Sequence, residues 1–457
     1  MCTMIFLLLY KILFMSKSID TDWLAEQLHN HSIRGIAMDM SALIRDGKIE
    51  IGKQLPSVRE LAEALGVSPA TISAAWSLLR RQKVIAGRGR TGMWVSGQQT
   101  SPRPERFEKI GNFGDTIIAD LTLAAPDPDL LPDLSEALLY GAQVKNLNSY
   151  QRTPIIPELE ARLRQDWPYA AQAFMTSEGG FDGVNLTLQT LIFPGSTVAI
   201  ESPTAARLLD LLDNIGINAI PVECDEQGPV AEALKQALQH KPAAFIYQPR
   251  THSITGRSVS PSRMKAMAEL LADSPMTMII EDDGVGEISS NPALSMGAYY
   301  PAQTIYVRSY SKAYGPDLRM AVLSGSAEVI GKIQSFRNFG AGWSSRILQG
   351  ALRFLLADEK TQRGIAHARQ VYHQRRQWLA NALARRGIYV PENDSLCIWL
   401  PVPSERYALI TLAAHGVAVQ PGERFGTKNG QYIRLSVCLL QEELIETVAD
   451  AISRIYR

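Results

Sequence analysis

Between residues 196 and 309 short apolar runs recur with helix-periodic stretches between them. "STVAI" (196–200), "AAFIYQ" (243–248), "MTMIIED" (276–282) and "TIYVRS" (304–309) alternate with helical patterns over 206–215, 230–240 and 261–272. Strand-length runs alternating with helices predict an α/β fold: a mixed, mostly parallel sheet covered on both faces, with ligands at the carboxyl ends of its strands. From about 346 the pattern becomes one long helix, 346–386, followed by short strands around "CIWLP" and "YIRLSV". The change predicts a large lobe over about 150–345 and a smaller one over 346–457, within a domain that spans 116–457.

Residues 97–115, "GQQTSPRPERFEKIGNFGD", are polar, carry two prolines and show no apolar period, which reads as a linker. Ahead of it, residues 15–96 form a small separate unit. There Leu61, Leu65, Ile72, Trp76 and Leu79 make an apolar stripe at helical spacing, interrupted by the turn "GVS". Ser68 suits an N-cap with Pro69 at the first helical position. The opposite face of that helix carries Thr71, Ser73, Ser77 and Arg80, and "GRGRTG" fits a hairpin tip bearing Arg88 and Arg90. Small polar side chains on a second helix, followed by a basic hairpin, predict a winged helix-turn-helix that reads base edges and clamps phosphates of double-stranded DNA.

Charge changes this picture little: 46 basic residues balance 46 acidic ones, so any attraction to nucleic acid is local. The cysteines Cys2, Cys224, Cys397 and Cys438 form no C-x-x-C pair, which argues against a metal site and for reduced thiols in a cytoplasmic protein. The first residues, "MCTMIFLLLYKILFMSKSID", are apolar but interrupted by Lys11, too short to span a bilayer and without a signal-peptide pattern. Residues 1–14 are therefore expected to be an upstream extension with Met15 as the natural start, and no membrane association is expected.

"SYSKAYGPDLR" (309–319) places Lys312 between serine hydroxyls and an arginine. A lysine made nucleophilic by burial, with Ser309, Ser311 and Arg319 suited to a phosphate, describes the seat of pyridoxal 5'-phosphate. Such a cofactor needs an acid at its ring nitrogen, and "MIIEDDG" offers Asp282, with Asp283 as the alternative. "TSEGGFDG" (176–183) supplies Gly179 and Gly180 as a turn before a helix, where backbone N–H groups would face a phosphate. Arg434 in "YIRLS" would meet a substrate carboxylate.

The front unit resembles the winged helix of GntR-type bacterial regulators, and residues from about 120 to 457 resemble the fold-type I aminotransferases. Joined, they resemble the MocR subfamily of transcription regulators over nearly the whole chain. The resemblance implies Ser57, Arg59, Ser68, Thr71, Ser73, Arg88 and Arg90 as DNA contacts, Pro69 standing where an arginine is usual. It implies Lys312, Asp282, Ser309, Ser311 and Arg319 as cofactor ligands, Arg434 as carboxylate clamp, and a homodimer. Three positions depart from its pattern. Ser253 stands where an asparagine would bond the cofactor's phenolic oxygen, Ala205 replaces a stacking aromatic, and Gly284 replaces a tyrosine or histidine. Glu178 also puts a negative charge beside the phosphate turn. These departures would weaken cofactor binding unless His252, Tyr310 or Tyr314 substitutes. They favour a regulator that senses pyridoxal phosphate, an amine or an amino acid. The alternatives are an active aminotransferase with a DNA-binding front end, and a regulator whose large domain takes another ligand.

Overall fold

The computed structural model describes residues 18–81, 84–87, 92–96, 104–108, 117–393, 395–427 and 431–456, which divide into two compact units, 1–104 and 105–457. In the first, four helices among the described residues (Thr21–Gln27, Ile33–Arg45, Val58–Leu65, Pro69–Arg81) precede the paired strands β1 (Ile85–Gly87) and β2 (Met93–Val95). Its apolar cluster contains the whole predicted stripe, Leu61, Leu65, Ile72, Trp76 and Leu79, with Leu24, Ile36, Met40 and Val95. Local chemistry sets the helix ends. Ser57 and Glu60 form a reciprocal capping box at Val58–Leu65, and Gly66 closes that helix at φ 67°, a left-handed conformation that a Cβ would disfavour.

The second unit continues with β3 (Ala119–Asp120), β4 (Ala173–Ser177), β5 (Thr197–Ser202), β6 (Asn218–Asp225), β7 (Gly228–Pro229), β8 (Ala244–Tyr247), β9 (Met278–Asp283), β10 (Thr304–Ser309) and β11 (Ala321–Gly325). It ends with β12 (Cys397–Pro401), β13 (Val417–Ala418), β14 (Gln420–Pro421) and β15 (Tyr432–Ser436). Eight strands form one sheet in the order β4-β11-β10-β9-β8-β5-β6-β7, with β6, β5, β8, β9 and β10 parallel and β11 antiparallel to both of its neighbours. The mixed, mostly parallel sheet is the predicted one, and the helices Ala206–Ile215, Ala231–Leu238 and Pro261–Leu271 fall where the periodicity put them.

Two boundaries differ from expectation. The long 346–386 helix is two helices, Arg346–Ala357 and Glu359–Ala384, because Asp358 adopts an extended conformation and its carboxylate accepts the Thr361 N–H, starting a new helix. The lobes also divide later than 346. Ala351, Leu352 and Leu355 pack with large-lobe residues such as Tyr310 and Tyr314, whereas Leu379 and Leu383 join the small-lobe core with Ile398, Leu435 and Val448. Ala119 and Leu121 belong to that small-lobe core as well, so the chain enters this unit through the lobe that also ends it.

Within the predicted linker, Glu105–Glu108 is one helical turn. The backbone N–H groups of Arg106 and Phe107 donate to the buried Asp210 carboxylate of Ala206–Ile215, at 3.2 and 2.9 Å, while Arg424 of the small lobe donates to the Phe107 carbonyl.

Candidate functional site

The carboxyl ends of β4 and β10 lie level, since Ala321 pairs with both Ser177 and Ser309. Gly179, at φ 101°, turns the chain from β4 into the helix Gly180–Leu191, whose first turn has no side-chain cap. A Cβ at Gly180 would sit 3.0 Å from the Ser309 Cβ, and one at Gly179 3.2 Å from Arg319 Nη2. The two glycines thus keep open a cradle walled by Ser309 and Arg319, with uncapped N–H groups at its floor. Arg319 is itself left-handed at φ 50° and donates to the Glu178 carbonyl, while the Ser311 N–H donates to Ser309 Oγ at 3.4 Å.

Strand alternation sorts the two candidate acids. Asp283 faces the side that holds Tyr306 and Arg308: Tyr306 donates to its Oδ2 at 2.7 Å and the Arg308 guanidinium lies 3.3 Å away. Asp282 faces the opposite side with Ile280, beneath the helix Gly180–Leu191, on the same face as Val307 and Ser309. Asp282 has no hydrogen-bond partner among the described residues. Burial, with the negative charges of Asp283 and Glu201 against a smaller opposing effect of His252, pushes its carboxyl up to about 7. A half-buried acid with no guanidinium or ammonium bonded to it suits a cationic ring nitrogen.

Lys312 lies in the short helix Ser311–Tyr314 after β10. Burial lowers its pKa below the ordinary lysine value; the thiols Cys438 and Cys397 oppose the shift and the Arg434 guanidinium adds to it. Lys312 and Arg434 are therefore brought together, although they are far apart in sequence. Both are held by one segment, for Lys312 donates to the Ala124 carbonyl and Arg434 Nη2 to the Thr122 carbonyl. Arg434 also lies 4.9 Å over the Phe425 ring, with its Nε buried and without a hydrogen-bond partner among the described residues. Nothing in the apolar pattern of 119–125 signalled this strap, because backbone carbonyls act in it.

Glu178 does not stand as an open negative charge beside the phosphate turn. Arg337 Nη2 reaches both of its carboxylate oxygens, at 2.7 and 2.8 Å, from the helix Ala327–Arg337. Neutralising Glu178 with glutamine would free a guanidinium beside the turn. Glu178→Gln is expected to tighten binding of inorganic phosphate several-fold and steepen its salt dependence, as measured by titration calorimetry; unchanged binding would show that Arg337 does not reach the turn.

The three departing positions leave the ring side lightly furnished. Ser253 uses its N–H on the Gln248 side chain at 2.8 Å, Ala205 precedes the helix Ala206–Ile215, and a Cβ on Gly284 would be 3.5 Å from Asp282 Oδ1, in open contact. Of the proposed substitutes, Tyr310 and Tyr314 lie in the apolar cluster under the other face of the sheet. His252 instead joins a buried network, its Nε2 3.3 Å from Glu201, whose Oε1 accepts the Gln248 N–H at 2.9 Å. Burial raises the pKa of Glu201 in this network.

In the first unit, Ser73 and Arg80 are exposed on the helix Pro69–Arg81, with Thr71 and Ser77 half-buried beside them, and Arg59 is exposed on the preceding helix. Two hydroxyls already serve as local caps, and a third is bonded to one of them. Ser57 accepts the Glu60 N–H at 3.2 Å, Ser68 accepts the Thr71 N–H at 3.1 Å, and Ser68 and Thr71 share a bond of 2.9 Å. Arg88 and Arg90 lie outside the described residues. Among the described residues no helix is long and apolar enough to cross a membrane.

A glycine cradle level with a buried lysine, at the carboxyl ends of such a sheet, defines an aminotransferase-type domain. The family "Aminotransferase class I and II" matches residues 117–452, and "Bacterial regulatory proteins, gntR family" matches 33–95. The chain belongs to the MocR type of transcription regulators, which join these two parts. It is 34% identical over 409 residues to the vitamin B6 salvage pathway transcriptional repressor PtsJ of Salmonella typhimurium, covering 88% of this chain and 93% of that protein. It is 24% identical over 431 residues to the regulator TauR of Rhodobacter capsulatus, covering 84% and 87%. A crystal structure of Pyrococcus horikoshii kynurenine aminotransferase shares the fold, with TM-score 0.68 and 20% identity over 74% of this chain and 92% of that one.

Proposed function

We propose that this regulator binds pyridoxal 5'-phosphate in its aminotransferase-type domain and responds to an amine, an amino acid or the cofactor itself by changing its hold on a DNA operator. One observation carries the reading: an uncapped glycine cradle, Ser309, Asp282 and a lysine of lowered basicity gather at the carboxyl end of one sheet. Relatives support it, since PtsJ is by its name a repressor of vitamin B6 salvage.

When bound, the cofactor supplies an aldehyde that captures primary amines. Lys312 provides the competing internal amine, its basicity lowered by burial and, to a smaller extent, by the Arg434 charge. The Gly179–Gly180 turn, Ser309, Ser311 and Arg319 hold the phosphate, and Asp282 takes the ring nitrogen's charge. Ser253 is the side chain left for the phenolic oxygen. An effector carboxylate would compete with the Thr122 carbonyl for Arg434, so effector binding and displacement of the 122–124 strap are one event. Exposed Leu138, Leu139 and Ile347, on two helices that touch, offer a surface for a second copy of the chain, as paired half-sites on DNA require.

The deciding experiment is an absorption spectrum of the full chain titrated with pyridoxal 5'-phosphate. A saturable, lysine-dependent band near the visible edge supports the reading, and its absence ends it. Turnover of an amino acid by the wild type, lost in Lys312→Ala, would instead make the domain an enzyme. For the DNA face, the logarithm of the affinity of the chain for double-stranded DNA should fall linearly with the logarithm of salt concentration. Arg59→Ala should reduce that slope by about 1, read by fluorescence anisotropy across a salt series.

A further inference from the structure

A cleft of about 890 Å³ opens in the second unit away from the lysine. Its walls come from both lobes: Gly256, Arg257 and Asn291 from the large one, Arg369 and His373 from the helix Glu359–Ala384, and Tyr389 to Asn393 from the chain entering the small one. None of Lys312, Asp282, Ser309, Arg319 or Arg434 lines it.

Its charges are unequally spent. Glu226 is paired with Arg257 at 2.9 Å, and Arg257 also donates to the Cys224 carbonyl at 3.0 Å. Arg369 is fixed through its Nε, which donates to the Glu287 carbonyl at 2.7 Å. Its two terminal nitrogens have no hydrogen-bond partner among the described residues, and neither does the His373 ring one helical turn away, on the same face. Both residues are half-buried. A guanidinium anchored by its Nε presents a rigid two-donor fork, the geometry that binds a carboxylate or phosphate through two parallel bonds. The only acid across the cleft that is not spent in this way is the exposed Glu392, among the described lining residues. The volume is that of a small-molecule site.

We propose that this cleft is a second ligand site, taking a small anionic metabolite with one carboxylate or phosphate group on Arg369 and His373 and further polar groups toward Asn291, Asn393 and Tyr389. The floor gives the site a reach beyond itself. A Cβ on Gly256 would lie 2.3 Å from the Ser395 Cβ and 2.4 Å from Asn393 Oδ1, so the 250–257 loop and the small-lobe entry are in close apposition there. Ser253, three residues earlier on that loop, is the side chain that the proposed function assigns to the cofactor's phenolic oxygen, so this reach rests on that reading. A ligand wedged between Arg257 and Arg369 therefore changes the setting of the loop that carries Ser253.

The test is titration calorimetry of the full chain with succinate and with glycerol 3-phosphate. At least one is expected to bind with a dissociation constant of millimolar order or tighter. Arg369→Gln should weaken it at least tenfold and His373→Gln about threefold, while Arg319→Ala, which removes a ligand of the glycine cradle, leaves it unchanged. His373 is partly exposed and makes no internal bond, so its variant reports on binding even where Arg369→Gln lowers stability. No binding of either probe by the wild type overturns the proposal. So does binding that Arg319→Ala abolishes and Arg369→Gln and His373→Gln leave intact.

Discussion

Replacing Lys312 with alanine is expected to abolish the visible-edge absorption that pyridoxal 5'-phosphate should induce in the full chain, whatever the cofactor concentration. The glycine cradle remains in that variant and still holds the phosphate, so the cofactor binds weakly and without the band. Arg319→Ala is expected to give the converse result: the band persists at saturation but needs about 10- to 100-fold more cofactor, because one charge-assisted bond of about 1.5–3 kcal/mol is lost. Capture of the aldehyde requires the neutral amine. Burial and the Arg434 charge both lower the Lys312 pKa, so Arg434→Ala raises it and moves the pH at which the band half-forms upward. A band that survives in Lys312→Ala would assign it to another lysine and remove the proposed role.

Asp282→Asn is expected to move stability and cofactor affinity in opposite directions. In the cofactor-free fold the Asp282 carboxyl titrates at about 7, against a value near 3.9 in an unfolded chain. The unfolded state therefore loses its proton first as pH rises. The folded state is undisturbed by this group below pH 4, is progressively penalised between pH 4 and 7, and gains no further penalty above 7. Asparagine removes the ionisation altogether. Urea unfolding of the cofactor-free chain should show little difference at pH 4, and the variant more stable by on the order of 2 kcal/mol at pH 7.5. Cofactor affinity should fall at least tenfold at that pH, because the ring nitrogen loses its anionic partner. Equal stability at pH 7.5 would mean that Asp282 is already ionised and paired.

The difference between what the sequence revealed and what it hid follows the kind of group involved. Periodicity located the helices Ala206–Ile215 and Pro261–Leu271, and β10, because burial of one face imposes a regular spacing. Lys312, Asp282 and the glycine turn were legible because each is a side chain, or the lack of one, in a short local pattern. Alternation along β9 puts Arg308 against Asp283 and leaves Asp282 on the other face, a difference that no local pattern in the sequence carries. Arg337 beside Glu178 is 159 residues distant in sequence, and its helix has no local mark of the partner. The strap carbonyls of Thr122 and Ala124 carry no signature at all, since every residue has a carbonyl. The break at Asp358 was missed because the apolar period runs on through a cap residue, and a cap competes with helix continuation over a single turn.

The turn Glu105–Glu108 has a mechanical meaning for a protein of this design. It is the first described stretch of the second unit after the DNA-binding unit, and its backbone is tied at the same place to Asp210 of one lobe and Arg424 of the other. A turn moored to two bodies cannot follow both when they shift apart. A change in the angle between the lobes would strain one of these two moorings before the other, which makes the turn the place where such a change is felt by the chain.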